Sequence, residues 1–249
     1  EAMVRLTELI ANREGVGDLL AEGATLAAQR IGRGAEELVV AVKGNDLPAH
    51  MPEVKRSLGL IYAVNPFGAD HQSSEHDPAY EGDYETYAER MASLGLLEPQ
   101  EPFSLTPEKI KFALYTQHFY SLLDSINVCQ FVWGPSWHLY SPNQLVDMAR
   151  AVTGWDLSLW EMMKVGERRL NMMRAFNVRH GLGRKDDVLP PKLAQPRVGG
   201  ASDGIAIDFD ELERAKDVYY AMCGWDQEGV PTRARLEELS LGWVADLLE

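Results

Sequence analysis

The chain has 249 residues, 45% of them hydrophobic and 25% charged, long enough for a soluble chain to bury roughly 70% of its unfolded surface and unlike a disordered composition. Its 24 Lys and Arg stand against 38 Asp and Glu, a formal charge of -14, which argues against nonspecific binding to nucleic acid or to an anionic membrane. No window approaches the ~18 uninterrupted apolar residues of a membrane helix, and two cysteines, Cys129 and Cys223, do not make a disulfide scaffold, so a reducing, cytoplasmic setting is expected.

The sequence starts without Met and already inside a helical pattern, which reads as a missing front portion. EAMVRLTELIAN places Met3, Leu6, Leu9 and Ile10 at helical spacing, and GVG at 15–17 is expected to end that helix. Asp18 is the expected cap of a second helix running to Gly32, in which Gly23 and the alanines allow close contact, so the opening reads as a helical hairpin. ELVVAVKGNDLP, closed by Gly44 and Pro48, fits one strand or an extended connection. From Leu58 to Pro78 an apolar start gives way to a dense run of Pro, Gly, Asp, His and Ser, hard to bury in a regular element and therefore expected as a loop.

Thr106 followed by Pro107 starts a helix whose apolar residues lie on several sides, which predicts central packing. Ser141, Pro142 and Gln144 resemble a capping box, and Gly154 stops the helix that follows. Asp156 is the expected cap of a longer helix ending at Gly181. The prolines and glycines between Gly183 and Gly204 predict an extended surface crossing. A helix follows from Asp210, and a last short one from the Thr232 cap. The fold class is all-α, about seven or eight helices with very little strand, and the stretch 71–105 is the expected internal boundary. Trp133, Trp137, Trp155 and Trp160, with Met162, Met163, Met172 and Met173, are expected in the core, and Cys223 is expected to be buried.

Three stretches could carry chemistry. In DSINVC a carboxylate, Asp124, stands at a helix end, where it can accept two parallel N–H bonds from an amidine-like edge such as a pterin presents. Cys129, five residues on, can bind soft iron; the bland alternative is a small buried core residue. A cubane cluster takes four thiolates, so this chain cannot supply one alone. In NPFGADHQSSEHDP, His71 can exchange a proton beside a reacting carbonyl; His76, Asp70, Glu75 and Asp77 could serve a hard metal, against the alternative of a solvated polar loop. From Lys164 to Lys185 seven Lys or Arg face one acidic residue, Glu167, a patch that could hold a phosphate or an acidic partner. Arg168 and Arg169 fall on the solvent side if Leu170, Met173 and Phe176 face inward, while Arg174 and Asn177 would need partners if buried.

Taken together, REGVGDLLAEGATLAAQRIG, VKGNDLPAH, LGLIYAVNPFGADH, DSINVC followed by QF, GERRLNMMRAFNVRHG with DDVLPP, and GWDQEGVPT resemble, in order and over nearly the whole chain, the C-terminal helical domains of the tungsten-pterin aldehyde ferredoxin oxidoreductases. The resemblance implies domains 2 and 3 of that fold, with residues 1–103 as the C-terminal part of domain 2, including a loop at 64–103, residues 104–249 as domain 3, and the N-terminal pterin-cradling domain absent. It implies an enzyme that oxidises aldehydes to carboxylic acids at a tungsten or molybdenum bis-pterin and passes electrons through a [4Fe-4S] cluster to ferredoxin or another electron-transfer protein. Such a portion would be inactive alone, with both cofactors absent from it.

Residue by residue, Asp124 matches the aspartate that grips one pterin, Asn127 and Val128 belong to the same cofactor-binding turn, and Cys129 matches the fourth cluster ligand. His71 matches the catalytic histidine near the metal. The implied partners are the missing N-terminal portion, an electron-transfer protein and a small aldehyde, with no nucleic acid and no membrane; a homodimer is left open. The alternative is a non-catalytic helical binding or assembly module derived from the same family. Two departures stand out. Asn127 and Val128 replace the family's Gly and Leu, although Asn tolerates the left-handed conformation, and the segment from Glu75 to Phe103 does not match the family and is expected to reshape the substrate mouth.

Overall fold

In a computed structural model, which describes residues 1–81, 87–136 and 139–248, twelve α-helices and one two-stranded hairpin appear among the described residues. Trp137 lies outside them. No helix of the described residues is long and apolar enough to cross a membrane.

The opening is three helices, α1 (Ala2–Asn12), α2 (Val16–Leu20) and α3 (Gly23–Ile31). The first ends at Arg13 in the left-handed conformation, before GVG, and the expected second helix is broken at Gly23, whose φ of 81° lies outside the helical range. The close approach uses Gly17 instead of Gly23: a Cβ on Gly17 would stand 2.1 Å from the Leu9 carbonyl oxygen of α1. The apolar run beyond forms β1 (Ala41–Val42) and β2 (Asn45–Asp46), paired antiparallel, with Lys43 and Gly44 both at positive φ, as a tight two-residue hairpin requires.

Next come α4 (Arg56–Val64), α5 (Ala88–Ser93), α6 (Pro107–Ser125) and α7 (Gln130–Trp133). The Thr106 hydroxyl accepts from Lys109 N and Pro107 opens α6, which is central as its many-sided apolar pattern requires. On one side Ile110, Ala113 and Leu114 join a core with α4 and with Leu189, Leu193, Leu212 and Tyr219; on the other Phe112, Phe119, Leu122 and Leu123 join a core with Tyr80, Met91, Trp133 and Met162.

The capping box of α8 (Pro142–Thr153) forms as expected between Ser141 and Gln144. In α9 (Leu159–Arg179) the cap is Ser158, whose hydroxyl accepts from Glu161 N, and not Asp156, whose side chain stands in solvent. The pair α6 and α9 is the most extensive helix contact. Gly166 makes it possible, since a Cβ there would lie 1.9 Å from the His118 carbonyl oxygen of α6. The 183–204 crossing is partly built into the core through Leu189 and Leu193, so it is not only a surface strap. The chain closes with α10 (Phe209–Cys223), capped by Asp208, α11 (Arg233–Glu238), capped by Thr232, and α12 (Gly242–Ala245). Cys223 is buried as expected, but Trp155 (66% exposed), Trp160 (69%) and Met172 (41%) are outside the core.

Candidate functional site

The C-terminus of α6 builds the first part of the site. Asn127 takes the left-handed conformation, φ 58°, and the backbone closes a Schellman motif around it: Val128 N donates to Leu123 O at 3.0 Å and Asn127 N to Asp124 O at 3.2 Å. Asn is thus the residue that lets the chain leave α6 without a glycine. The partly buried Val128 packs on the same core as Leu123, the apolar contact that accompanies this motif. Cys129 follows as a free, exposed thiol, not a buried core residue.

Asp124 is exposed on the same turn. Its Oδ2 is 3.1 Å from Arg169 Nη1 of α9, and that guanidinium also donates to Ser121 Oγ at 3.2 Å. Arg169 therefore does not face solvent alone. Phe176, two turns on and expected inward, points outward, 64% exposed. Gln130, next to Cys129, donates to Gln72 O at 2.7 Å and reaches Asp124 Oδ1 at 3.5 Å. The helix end is thereby tied to the loop that carries His71. Between them Asn65, Ser73, Gln117, Ser121, Asp124 and Arg169 close on a gap too narrow to admit a water molecule. Partial desolvation pushes the Asp124 carboxyl above its usual range, Arg169 pulls it back, and Asp70 of the loop pushes it further up.

That loop is anchored in the interior, contrary to the solvated alternative. Asp77 accepts from Ser57 N at 2.9 Å and Leu58 N at 3.2 Å, closing the start of α4, and pairs with Lys109 Nζ at 3.2 Å with both side chains fully buried. Glu75 accepts from Tyr120 Oη at 2.9 Å, Ser136 N at 3.2 Å and His76 N at 3.0 Å. These contacts use the carboxylates that could otherwise have served a metal. Asp70 holds Ser73 Oγ at 2.7 Å and Gln72 N at 3.0 Å.

His71 sits in a cluster of three imidazoles. Its ring stacks on His50, centroids 4.8 Å apart and planes 23° apart, and His76 lies 4.5 Å from His50 and 6.0 Å from His71. Lys55 Nζ is 3.1 Å from both His50 Nδ1 and His76 Nδ1, and His76 Nε2 is 2.9 Å from the His71 carbonyl oxygen. Burial, and then the Lys55 charge, push His50 down to about 4; burial also lowers His76. His50 and Lys55 were not singled out from sequence, although VKGNDLPAH carried the histidine; the signal was three histidines within 27 positions with no spacing rule to join them.

The basic segment of α9 does not form an open anion site. Lys164 pairs with Glu167 and Glu238, Arg168 donates to Leu239 O, Arg174 pairs with Asp187, and Arg184 pairs with Glu213 and Asp217. Asn177 finds the partner it needs in Pro66 O.

Among the described residues no three His, Cys, Asp or Glu side chains converge as a metal-binding group. A single exposed thiol beside an exposed carboxylate fits one corner of a cluster and one edge of an organic cofactor whose remaining ligands come from elsewhere; it does not fit a complete centre within this chain.

Comparison with known proteins gives the family. The family described as "Aldehyde ferredoxin oxidoreductase, domains 2 & 3" matches residues 1–241. The chain is similar to the tungsten-containing aldehyde ferredoxin oxidoreductase of Pyrococcus furiosus, 32% identical over 237 residues, covering 94% of this chain and 36% of that protein. The protein of the same name from Thermococcus kodakarensis is also 32% identical, covering 94% and 36%. The aliphatic sulfonate oxidoreductase, WOR-like subunit, of Pyrococcus furiosus is 27% identical, covering 97% and 35%. In fold, the chain is similar to a chain of the active site complex BamBC of benzoyl coenzyme A reductase in complex with 1,5-dienoyl-CoA, with TM-score 0.70, 23% identity, 97% of this chain and 39% of that one. The chain thus spans about 36% of the length of the first curated relatives. It belongs to the aldehyde ferredoxin oxidoreductase family and carries the helical fold of domains 2 and 3.

Proposed function

We propose that this chain is the helical binding module of a redox enzyme, unable to turn over alone, and that it presents Asp124, Cys129 and His71 toward the part of the enzyme that holds the other ligands. The observation that supports this best is the turn after α6, in which one exposed carboxylate and one exposed thiol are held five residues apart around Asn127, with Gln130 linking them to the His71 loop. In this reading residues 1–103 continue the family's second domain and residues 104–249 form its third.

The finer reading is an oxidoreductase that converts aldehydes to carboxylic acids and passes electrons to ferredoxin. A tungsten or molybdenum bis-pterin with a [4Fe-4S] cluster would supply the electron chemistry when bound. Asp124 would accept the N–H edge of a pterin, exchanging with or sharing Arg169, while Asn127 and Val128 shape the turn and Cys129 Sγ gives the cluster its fourth thiolate. His71 would take up or return a proton at the substrate carbonyl. Among the described residues neither of its ring nitrogens has a hydrogen-bond partner, which leaves both free for that work.

The test is metal analysis and visible spectroscopy of the full enzyme containing this chain, purified without oxygen. Tungsten or molybdenum with about four irons per catalytic unit, and loss of the iron in Cys129→Ala, is the expected outcome; unchanged iron in C129A removes the ligand assignment. A second reading, a family-derived assembly module without catalysis, is favoured by the lack of a converging ligand group among the described residues and by the pairing of Asp124 with Arg169. A native complex that contains this chain but neither of those metals nor iron would establish it.

A further inference from the structure

We infer that Lys55 is a positioning residue that makes His71, among three neighbouring imidazoles, the one that accepts a proton; the inference rests on the reading of His71 as a proton carrier. Ring centroids 4.5 to 6.0 Å apart are close enough for one charge to oppose the next, so a proton arriving at the cluster has to choose among His50, His71 and His76.

Hydrogen-bond direction decides the choice. An ammonium has three N–H donors and no lone pair, so the two 3.1 Å contacts of Lys55 Nζ use the lone pairs of His50 Nδ1 and His76 Nδ1. Each ring must then carry its proton on Nε2. His76 reaches the same tautomer from its other end, because its Nε2 lies 2.9 Å from the His71 carbonyl oxygen, which can only accept. Protonating either ring at Nδ1 would break the bond to Lys55 and set a second cation against the ammonium. His71 has no such bond. The same clamp fixes its place, since His76 holds its backbone oxygen and His50 lies stacked on its ring.

The surrounding charges agree. Burial lowers the affinity of Lys55 for its proton, while Asp77 and Glu75 act to keep it charged. Asp77 is itself held by Lys109, Ser57 N and Leu58 N, and Glu75 by Tyr120 Oη, Ser136 N and His76 N. Asp70 is bound to Ser73 and Gln72, and Tyr62 Oη donates to the His50 carbonyl at 3.1 Å. The point where the His50 and His76 lone pairs converge, where a metal ion would need to sit, is filled by the ammonium.

The experiment uses the full enzyme containing this chain, purified without oxygen, as wild type, K55M, K55Q, K55R and H71N. Exchange of the histidine C2 hydrogen, followed residue by residue by mass spectrometry across pH, reads each imidazole independently of turnover, and the pH profile of kcat reads the catalytic group. In wild type His50, pushed down to about 4 by burial and the Lys55 charge, should show a midpoint well below the ordinary imidazole range; K55M should raise the His50 and His76 midpoints by about one pH unit or more and shift or broaden the acid limb of the kcat profile, while K55R keeps the wild-type midpoints. K55Q carries the same test if K55M does not accumulate. Unmoved midpoints in K55M or K55Q, with H71N inactive, overturn the role of Lys55 and leave His71 standing. Near-native turnover of H71N removes the catalytic reading beneath it, and the inference with it.

Discussion

The guanidinium of Arg174 in α9 meets the carboxylate of Asp187 inside the bundle, Nη1 to Oδ2 at 2.8 Å and to Oδ1 at 3.0 Å, with both side chains withdrawn from solvent. Arg174 Nε donates to Gly229 O at 2.7 Å and its cation lies 4.9 Å from the Trp225 ring. Asp187 is also approached by Lys43 Nζ at 2.7 Å, from the hairpin turn, and by the Tyr220 hydroxyl. Removing one partner of a buried pair leaves the other charge without compensation. Arg174→Met is therefore expected to lower stability by about 3 kcal/mol, measured by urea unfolding at pH 7; a loss below ~1 kcal/mol would mean that Lys43 neutralises Asp187 by itself.

Gly166→Ala tests the contact between the two longest helices. The added methyl would meet the backbone of α6 at 1.9 Å, and a backbone oxygen cannot swing aside as a side chain can. The helices must separate, so the expected loss is about 3 kcal/mol or more. The Ser121 to Gly166 hydrogen bond, 2.9 Å, should be lost with it, seen as faster exchange of amides in 117–125.

His118 sets a pH dependence. It lies on α6, and burial pushes it down to about 4, against the weaker pull of Glu167. Below the ordinary value near 6.5 the unfolded chain binds a proton that the folded chain refuses, so stability falls as pH drops from about 6.5 to about 4. The difference between wild type and His118→Asn, followed by denaturant unfolding over that range, should show wild type losing up to about 3 kcal/mol more than the variant. Equal slopes would place the imidazole in water.

Asn127→Ala should cost about 1 kcal/mol, the penalty of a Cβ in the left-handed region without the local polar compensation of Asn, whereas Asn127→Gly should stay within a few tenths. Thermal unfolding measures both. A cost for glycine as large as that for alanine would mean that the Asn side chain, and not its backbone, holds the turn.

Local signals were legible in the sequence where the partners are close along the chain. Thr106 with Pro107, and Ser141 with Gln144, were readable because a cap and its N–H lie within one turn. The misplacement at Asp156 had the same kind of answer, since Ser158 has Glu161 three residues on and both halves of that box form. The turn through Asn127 was expected from the family resemblance together with the tolerance of Asn for the left-handed conformation, which it adopts. What was not legible depends on distant partners. The loop after His71 is buried because Thr116, Tyr120 and Lys109 reach it from α6, and Arg169 meets Asp124 because two helices cross there. A count of apolar spacing also put Phe176 inward, where it is in fact exposed.

Since α6 and α9 touch backbone to backbone at Gly166, the helices bearing Asp124 and Arg169 have no slack between them to give up. A group that met the carboxylate would be admitted from the solvent side, either sharing it with the guanidinium or displacing that guanidinium by rotation of a single side chain. Arg169 is in that sense a tethered occupant that keeps the carboxylate paired.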